Sequence, residues 1–258
     1  MWKHKNVVPV LLSFGILCAI LALFSVISWT WCFVIILLYM GLATWGSLDI
    51  RLSYFTEIFY RKRYADGQTL ALTFDDGPTP ITRDLLDLLR EYDAKATFFC
   101  IGRQINKYPD IFKQIVEEGH VVGNHTMNHS RAFGLLNENQ VVQEIDSCDA
   151  IIQDIIPHKT RFFRPPFGVT NPAVAKAVKQ TKHQIIGWNR RSLVMLLQNE
   201  DKIFERITKR LKSGDIILFH DTSPKTLRVV RRVLEYMKQR DMRSVTVEQL
   251  LSLEAYAY

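Results

Sequence analysis

The chain has 258 residues, of which 48% are hydrophobic and 23% charged, with 33 lysines and arginines against 26 acidic residues. A chain this apolar can bury enough surface to offset the entropy lost on ordering, so intrinsic disorder is excluded. The 12 glycines and 4 cysteines also exclude collagen-like and disulfide-scaffold proteins.

The first predicted element is a long uncharged segment, since no acidic or basic residue occurs from Asn6 to Leu48. One membrane-spanning helix needs about 20 apolar residues, so this segment suits two. Residues 28–31 (Ser-Trp-Thr-Trp) interrupt it near the middle, and tryptophan is typical of membrane interfaces. We therefore expect residues 1–48 to be a retained membrane anchor, with one span near 7–28 and a shorter one near 31–46. A buried hydrophobic hairpin of a soluble protein is the alternative.

Basic residues flank the uncharged segment at both ends, namely Lys3, Lys5, Arg51, Arg61, Lys62 and Arg63. With two spans both flanks lie on one side of the membrane, and the positive-inside tendency places the polar domain in the cytoplasm. With a single span the domain is exported. Residues 49–66 are predicted to be a juxtamembrane linker that could contact lipid, and residues 67–258 one polar domain.

Within the polar domain, short β-type runs alternate with amphipathic helical patterns. The predicted strands cover residues 70–74, 96–100, 120–123, 161–164, 183–187 and 216–219. The predicted helices cover residues 82–92, 111–118, 138–155, 172–180, 202–211 and 227–240. This alternation predicts an α/β fold with right-handed crossovers and a parallel sheet, either open or closed into a barrel.

Polar residues follow four of the predicted strands, where the reacting groups of parallel α/β folds gather. These clusters are Asp75-Asp76-Gly77-Pro78, His125 with His129, Arg164-Pro165-Pro166-Phe167-Gly168, and His220-Asp221. Four clusters in the expected position are difficult to attribute to packing alone.

The spacing of His125 and His129 would place both imidazoles on one side of a helical turn. Two neutral imidazoles and a carboxylate form a metal site that leaves positions open for water and substrate. Together with Asp76, the pair therefore predicts a two-histidine, one-carboxylate metal site. Taken alone, Asp-Asp-Gly-Pro is more often a turn with a helix cap.

The neighbouring carboxylate, Asp75, would remain free to take a proton from a water molecule. Arg164 would hold this carboxylate through a charge-assisted hydrogen bond, with a purely structural salt bridge as the alternative. His220 is a candidate general acid for a leaving nitrogen, with simple packing at a strand end as the alternative.

The order of these motifs resembles the polysaccharide deacetylase family, also called the NodB-homology family, a carbohydrate esterase type. The resemblance covers about residues 67–250 and rests on residues 73–78, 125–129, 164–168 and 217–220. It implies a distorted (β/α) barrel that removes N-acetyl groups from sugars with a divalent metal ion. Zinc is the expected metal, with cobalt, nickel or manganese as alternatives.

The resemblance also implies roles for individual residues. Asp75 is expected to be the catalytic base, and the expected metal ligands are Asp76, His125 and His129. Arg164 would orient the base, His220 would be the general acid, and the backbone N–H of Phe167 would help to bind the oxyanion. Trp188 and Ile217 are expected to line the pocket for the acetyl methyl group.

Two positions depart from the family pattern. Phe167 replaces the usual tyrosine, which a backbone role tolerates. Val194 stands where the family usually has an aspartate that tunes the catalytic histidine. We therefore expect a weakened or differently tuned enzyme, whose activity an aspartate at position 194 should raise.

The predicted function is N-deacetylation of a sugar in a cell-envelope glycan or lipid-linked saccharide, with release of acetate. One alternative is a deacetylase or deformylase acting on a lipid-linked sugar at the cytoplasmic face. Another is a catalytically silent glycan-binding protein with the same fold. The expected partners are the N-acetylated sugar and membrane lipid. Nucleic acid is not expected, because the basic residues are scattered and no recognition motif is present.

Overall fold

The computed structural model describes residues 3–65 and 67–257. The helices are α1 (His4–Leu23), α2 (Thr30–Leu48), α3 (Pro80–Glu91), α4 (Gly102–Lys107), α5 (Pro109–Glu117), α6 (Glu138–Ile155), α7 (Pro172–Thr181), α8 (Glu200–Thr208), α9 (Pro224–Lys238) and α10 (Val247–Leu251). The strands are β1 (Ile58–Phe59), β2 (Thr69–Asp75), β3 (Ala96–Cys100), β4 (Val121–Asn124), β5 (Lys159–Thr160), β6 (Phe162–Phe163), β7 (Gln184–Ile186), β8 (Arg190–Arg191), β9 (Ile216–His220), β10 (Arg243–Ser244) and β11 (Tyr256–Ala257).

Helices α1 and α2 form an antiparallel hairpin whose apolar side chains are mostly exposed. They contain 20 and 19 residues, and both are long and apolar enough to cross a membrane. The second helix is longer than the span expected at 31–46. At the polar end of the hairpin, the backbone N–H of His4 donates to the carbonyl of Tyr54 at 2.9 Å. The start of α1 therefore lies beside the chain that leaves α2.

Most of the remaining chain is built on a parallel sheet with the strand order β1-β7-β6-β4-β3-β2-β9-β8, and β10 pairs with the start of β2. Strands β11 and β5 form a separate antiparallel pair. Central strand β2 is buried along all but its first residue, as is typical of a parallel strand covered by helices. Residues 187–189 connect β7, which lies beside the edge strand β1, with β8 at the other edge of the order. The sheet therefore curls into a distorted barrel, which confirms the predicted α/β fold.

All predicted strands and helices of the polar domain are present, with bounds that differ by three residues or fewer. The additional strands contain two residues each, which is too short to give a periodic sequence signal. One of them, β1, lies within the predicted linker 49–66 and pairs with β7 at the edge of the sheet.

The turn after β2 is fixed by the way α3 begins. Thr79 caps this helix, its backbone N–H donates to Thr82 Oγ1 at 2.8 Å, and Pro80 occupies the first helical position. Residues 75–78 are therefore held between a buried strand and a rigid helix start, at the carboxyl edge of the sheet.

Candidate functional site

The four polar clusters meet at the carboxyl ends of β2, β4, β6 and β9. Asp76 lies at the centre, because its Oδ1 is 3.5 Å from His125 Nε2 and 3.4 Å from His129 Nε2. Its Oδ2 is 4.0 Å from His220 Nε2. The sequence separates these residues by up to 144 positions, and the parallel sheet brings them together.

Asp76, His125 and His129 offer one ligand atom each, and these atoms lie within 4.8 Å of one another. Two ligands bound at about 2.0–2.2 Å to one zinc ion lie about 3–3.5 Å apart, which matches the Asp76–histidine separations. Asp76 Oδ1 is buried and has no hydrogen-bond partner among the described residues. A buried, unpartnered carboxylate oxygen facing two imidazoles fits a divalent cation.

Asp76 has an unusual electrostatic environment. Burial by itself raises the pKa of its carboxyl, but the facing His125, with His220 and His129 around it, holds the pKa well below its usual range. Its backbone is in the left-handed region with φ of 76°, which aspartate tolerates better than most residues. The carboxylate is therefore ionised at neutral pH and directed at the histidines.

The predicted helical turn for the histidine pair is wrong, because residues 125–129 form an irregular loop. Thr126 and His129 have positive φ values of 67° and 50°. The loop is held by Asn124, whose Oδ1 accepts from the Thr126 N–H at 2.8 Å. Asn124 Nδ2 in turn donates to the buried Asp149 at 2.7 Å. Both imidazoles still face Asp76. Side-chain hydrogen bonds, and not a helical turn, hold the loop that carries them.

The orientation of His125 is fixed by its second ring nitrogen. Nδ1 lies 2.6 Å from the carbonyl oxygen of Arg164, so it carries the proton and donates to that oxygen. Nε2 is thereby left as the lone-pair nitrogen that faces Asp76. This is the usual second-sphere arrangement around a metal-ligating histidine.

Asp75 forms a separate, deeply buried ion pair with Arg164. Arg164 Nη1 donates to Asp75 Oδ1 at 2.7 Å and also contacts Thr73 Oγ1 at 2.8 Å. The remaining guanidinium N–H groups donate to the carbonyls of Ile186 and Gly187, each at 2.9 Å. Four hydrogen bonds from one guanidinium to fixed acceptors hold the second carboxylate in one orientation. Sequence reasoning included Thr73 in the motif at residues 73–78 but assigned it no role, because a threonine inside a strand looks like an ordinary β residue.

His220 is the last residue of β9, whose predicted end was Phe219, and one of its ring nitrogens is unsatisfied. Nδ1 is buried and has no hydrogen-bond partner within the described part of the chain. Burial lowers the pKa of His220, although Asp75 and Asp76 oppose this shift. Val194 is fully buried in the hydrophobic core. The chain thus has no carboxylate at position 194, and Nδ1 of His220 has no hydrogen-bond partner among the described residues.

The three remaining predicted site residues, Phe167, Trp188 and Ile217, differ in how far they are exposed. Phe167 has φ of 59°, and its half-exposed ring lies 4.8 Å from the His129 ring, centroid to centroid. Trp188 packs against Gly168, where a Cβ atom would lie 2.5 Å from the indole. Ile217 is fully buried in the core, so its side chain presents no surface to the site.

Asp221 is a buried carboxyl whose structural role sequence reasoning did not single out. Thr82 Oγ1 donates to its Oδ2, while Oδ1 lacks a hydrogen-bond partner among the described residues. Burial raises the pKa of Asp221 to about 7, and the nearby Asp76 and Asp75 add to this effect. Gly77 lies against the carboxyl with no room for a Cβ atom. In the sequence, the position of Asp221 directly after His220 could have pointed to it.

Comparisons with known proteins agree with this arrangement. The family model described as polysaccharide deacetylase matches residues 62–186. A peptidoglycan-N-acetylglucosamine deacetylase from Bacillus cereus is 36% identical over 197 residues, which cover 70% of this chain and 87% of that protein. The crystal structure of the Bc1960 peptidoglycan N-acetylglucosamine deacetylase is similar with a TM-score of 0.73 at 27% identity, covering 78% of this chain and 95% of that one. The peptidoglycan deacetylase PdaC from Bacillus subtilis gives a TM-score of 0.68 at 29% identity, covering 72% and 91%.

Proposed function

Because the chain belongs to the polysaccharide deacetylase family, we propose that it hydrolyses N-acetyl groups from a sugar of a cell-envelope glycan and releases acetate. The observation that carries this proposal is the division between two adjacent carboxylates. Asp76 faces two imidazoles, whereas Asp75 is held by a buried guanidinium. One carboxylate is thus available as a metal ligand and the other as a base.

Asp76, His125 and His129 would hold the divalent ion, for which we propose zinc because of its preference for nitrogen and carboxylate ligands. When bound, such an ion polarises the acetamide carbonyl and makes water acidic enough to be deprotonated near neutral pH.

Asp75 accepts the proton of the attacking water. Its Oδ1 is engaged by Arg164, and its Oδ2 lies 3.8 Å from His125 Nε2, so the second oxygen points into the ligand cluster. The buried guanidinium holds this carboxylate in one orientation through a charge-assisted hydrogen bond. Arg164 is therefore a positioning residue that acts through the base.

As water adds to the carbonyl carbon, the carbonyl oxygen becomes negative and accepts a hydrogen bond from the Phe167 backbone N–H. The bond from carbon to nitrogen then breaks, and His220 donates a proton to the departing amine. Trp188 borders the acetyl methyl group in this proposal, and Ile217 supports the pocket from the core. The products are acetate and a free amino sugar.

We also propose that α1 and α2 anchor the chain in a membrane. Both ends of the hairpin lie together, because His4 contacts Tyr54, and the basic residues at both ends therefore lie on one side. The positive-inside tendency favours the cytoplasmic side for the enzyme domain. Reporter fusions at the C-terminus test this: a cytoplasmic reporter signal is expected, and an exported signal contradicts it.

Acetate release from an N-acetylglucosamine oligosaccharide by the full-length protein in detergent tests the proposed activity. The matched variant is Asp75→Asn, which keeps the size of the base but cannot take a proton. We expect a loss of about 10²-fold or more, the usual contribution of general base catalysis. Equal rates for the two proteins contradict the mechanism. Binding of the sugar without any acetate release identifies the silent glycan-binding alternative, which the unpartnered nitrogen of His220 favours.

A further inference from the structure

Exposed apolar side chains are concentrated around the mouth of the site. In the described chain after residue 48, the large hydrophobic residues that are exposed are Tyr64, Leu135, Phe167, Met195 and Leu196. All of these except Tyr64 lie in the loops that follow β4, β6 and β8, at the carboxyl ends of the strands. Leu135 is 89% exposed and Leu196 is 71% exposed. Exposed apolar residues that share one face of a protein can mark an interaction surface.

The polar end of the helical hairpin contacts the same face. The backbone N–H of Thr170 donates to the carbonyl of Ser47, at the end of α2, at 3.1 Å. The next residue, Asn171, donates from Nδ2 to the carbonyl of Gly134 at 2.9 Å. A continuous chain of contacts therefore leads from α2, through the loop that carries Phe167, to the turn that carries Leu135.

The hairpin and the sheet are connected without a flexible tether. Ile50, two residues after α2, is buried in the barrel core and packs against Gly187. Gly46 lies against the ring of Tyr54 with no room for a Cβ atom. The carbonyl of Gly187 also accepts a hydrogen bond from Arg164. The orientation of the catalytic face relative to α2 is therefore set by packing.

We propose that Leu135, Met195 and Leu196 rest in the interface of the bilayer that α1 and α2 span, so that the site acts on an N-acetylated sugar carried by a membrane lipid. This inference rests on the proposed deacetylase activity and the proposed anchor, and it names the substrate class. The turn that carries Leu135 is connected to the membrane helices through Asn171, Thr170 and Ser47.

Two further features match a bilayer as the partner. Arg131 and Arg191 are exposed in or beside the same loops, where they can meet anionic headgroups. Phe167, another exposed residue of this face, lies next to the His129 ring. A sugar attached to a lipid headgroup would therefore reach the catalytic groups with its lipid still in the bilayer.

Bilayer contact can be measured independently of activity. The full-length protein, with Cys18 and Cys32 changed to serine, is labelled with a fluorophore at Leu196→Cys and reconstituted into vesicles of phosphatidylglycerol and phosphatidylethanolamine with brominated acyl chains. The control carries the label at Tyr64→Cys, because Tyr64 lies between Lys62 and Ala65, which contact Gly214 at the opposite end of β9. Quenching is expected at position 196 only. No quenching at 196, or equal quenching at both positions, overturns the proposal.

The substrate class is tested by two rates, on a lipid-anchored N-acetylglucosamine in the same vesicles and on a soluble N-acetylglucosamine tetramer. Leu135→Ser with Leu196→Ser should lower the ratio of lipid-anchored to soluble turnover about fivefold, equivalent to about 1 kcal/mol. Tyr64→Ser should leave the ratio unchanged. An unchanged ratio in the leucine variant overturns the assignment of a lipid-held substrate. Quenching at position 196 without acetate release from either substrate supports the bilayer contact and refutes the deacetylase activity.

Discussion

Arg164 donates from Nη1 to Asp75 Oδ1 at 2.7 Å, and neither side chain has appreciable contact with solvent. Burying two charges costs more free energy than an isolated pair returns, unless every donor is satisfied. Here the guanidinium also donates hydrogen bonds to Thr73 Oγ1 and to the carbonyls of Ile186 and Gly187. The arrangement therefore serves to hold the carboxylate in one position beside the histidines.

Replacing Arg164 with methionine should destabilise the protein by about 3–5 kcal/mol, because Asp75 would be left as a buried charge without a partner. Unfolding in urea followed by circular dichroism, together with acetate release, measures both consequences. The control is Arg161→Met, which removes an ion pair with the exposed Glu254 and should cost about 1 kcal/mol or less. Equal costs for the two variants would show that the buried pair has no special role.

Removing one histidine of the ligand cluster should lower bound metal as well as activity. His129→Ala leaves Asp76 and His125 as the remaining ligands, and we expect zinc affinity to fall at least about tenfold, since even second-sphere changes cost this much. Metal content is measured by mass spectrometry after dialysis against limiting zinc. His158→Ala, a change beside Tyr256, is the control and should keep wild-type metal content. Full activity in a chelator-treated, metal-free protein would refute a metal-dependent reaction.

Introducing a carboxylate at position 194 should supply a partner for the unsatisfied Nδ1 of His220. We expect Val194→Asp to raise the deacetylation rate about threefold to tenfold, the effect of raising the pKa of the imidazole by up to about one unit. Val194→Asn adds a polar group without the charge and should give a smaller increase. If the rate with Val194→Asp stays at the wild-type value, the missing aspartate does not limit this enzyme. An equal increase in a His220→Ala background would show that the effect does not act through the imidazole.

Asp221 should make stability depend on pH. Burial raises its pKa to about 7 in the folded state, above the 3.8 of an unfolded chain. Between these values the folded state binds more protons, so this contribution to stability is present at acid pH and is lost as the pH rises through about 7. The Asp221→Asn variant has no carboxyl to ionise at this position, so it does not lose this stability. The Tm of the variant minus the Tm of the wild-type protein should therefore increase from about pH 5 to about pH 8.

The comparison of two variants in detergent isolates this effect. His120, whose pKa burial lowers to about 4, gives a contribution of opposite sign that is common to both proteins and cancels in the difference. The exposed Asp241→Asn is the matched control and should show a constant difference in Tm over the same range. A constant difference for Asp221→Asn as well would mean that this carboxyl is ionised in the folded protein.

Several parts of the molecule followed directly from local sequence. The strand Ala96–Cys100 and the helix Glu138–Ile155 were predicted at their observed bounds. The strand is a short continuous apolar run, and the helix has an amphipathic pattern and a capping box at Asn137. The candidate ligands and base were found because they follow buried strands. Strands of two residues, such as β1 and β8, gave no signal, since pairing with neighbours distant in sequence determines them.

The sequence alone determined the uncharged helical hairpin, the alternating α/β pattern and the chemical nature of the site, because hydrophobic period and residue type are local properties. Tertiary structure decided which groups face each other. It replaced the expected helical turn at His125 and His129 with a loop, buried Ile217 away from the site, and left Nδ1 of His220 without a partner. It also connected Ser47 to Thr170 and so set the catalytic face beside the hairpin. These contacts join residues that are far apart in the sequence. They form only when the strands pair and the barrel closes, so no local sequence pattern could have predicted them.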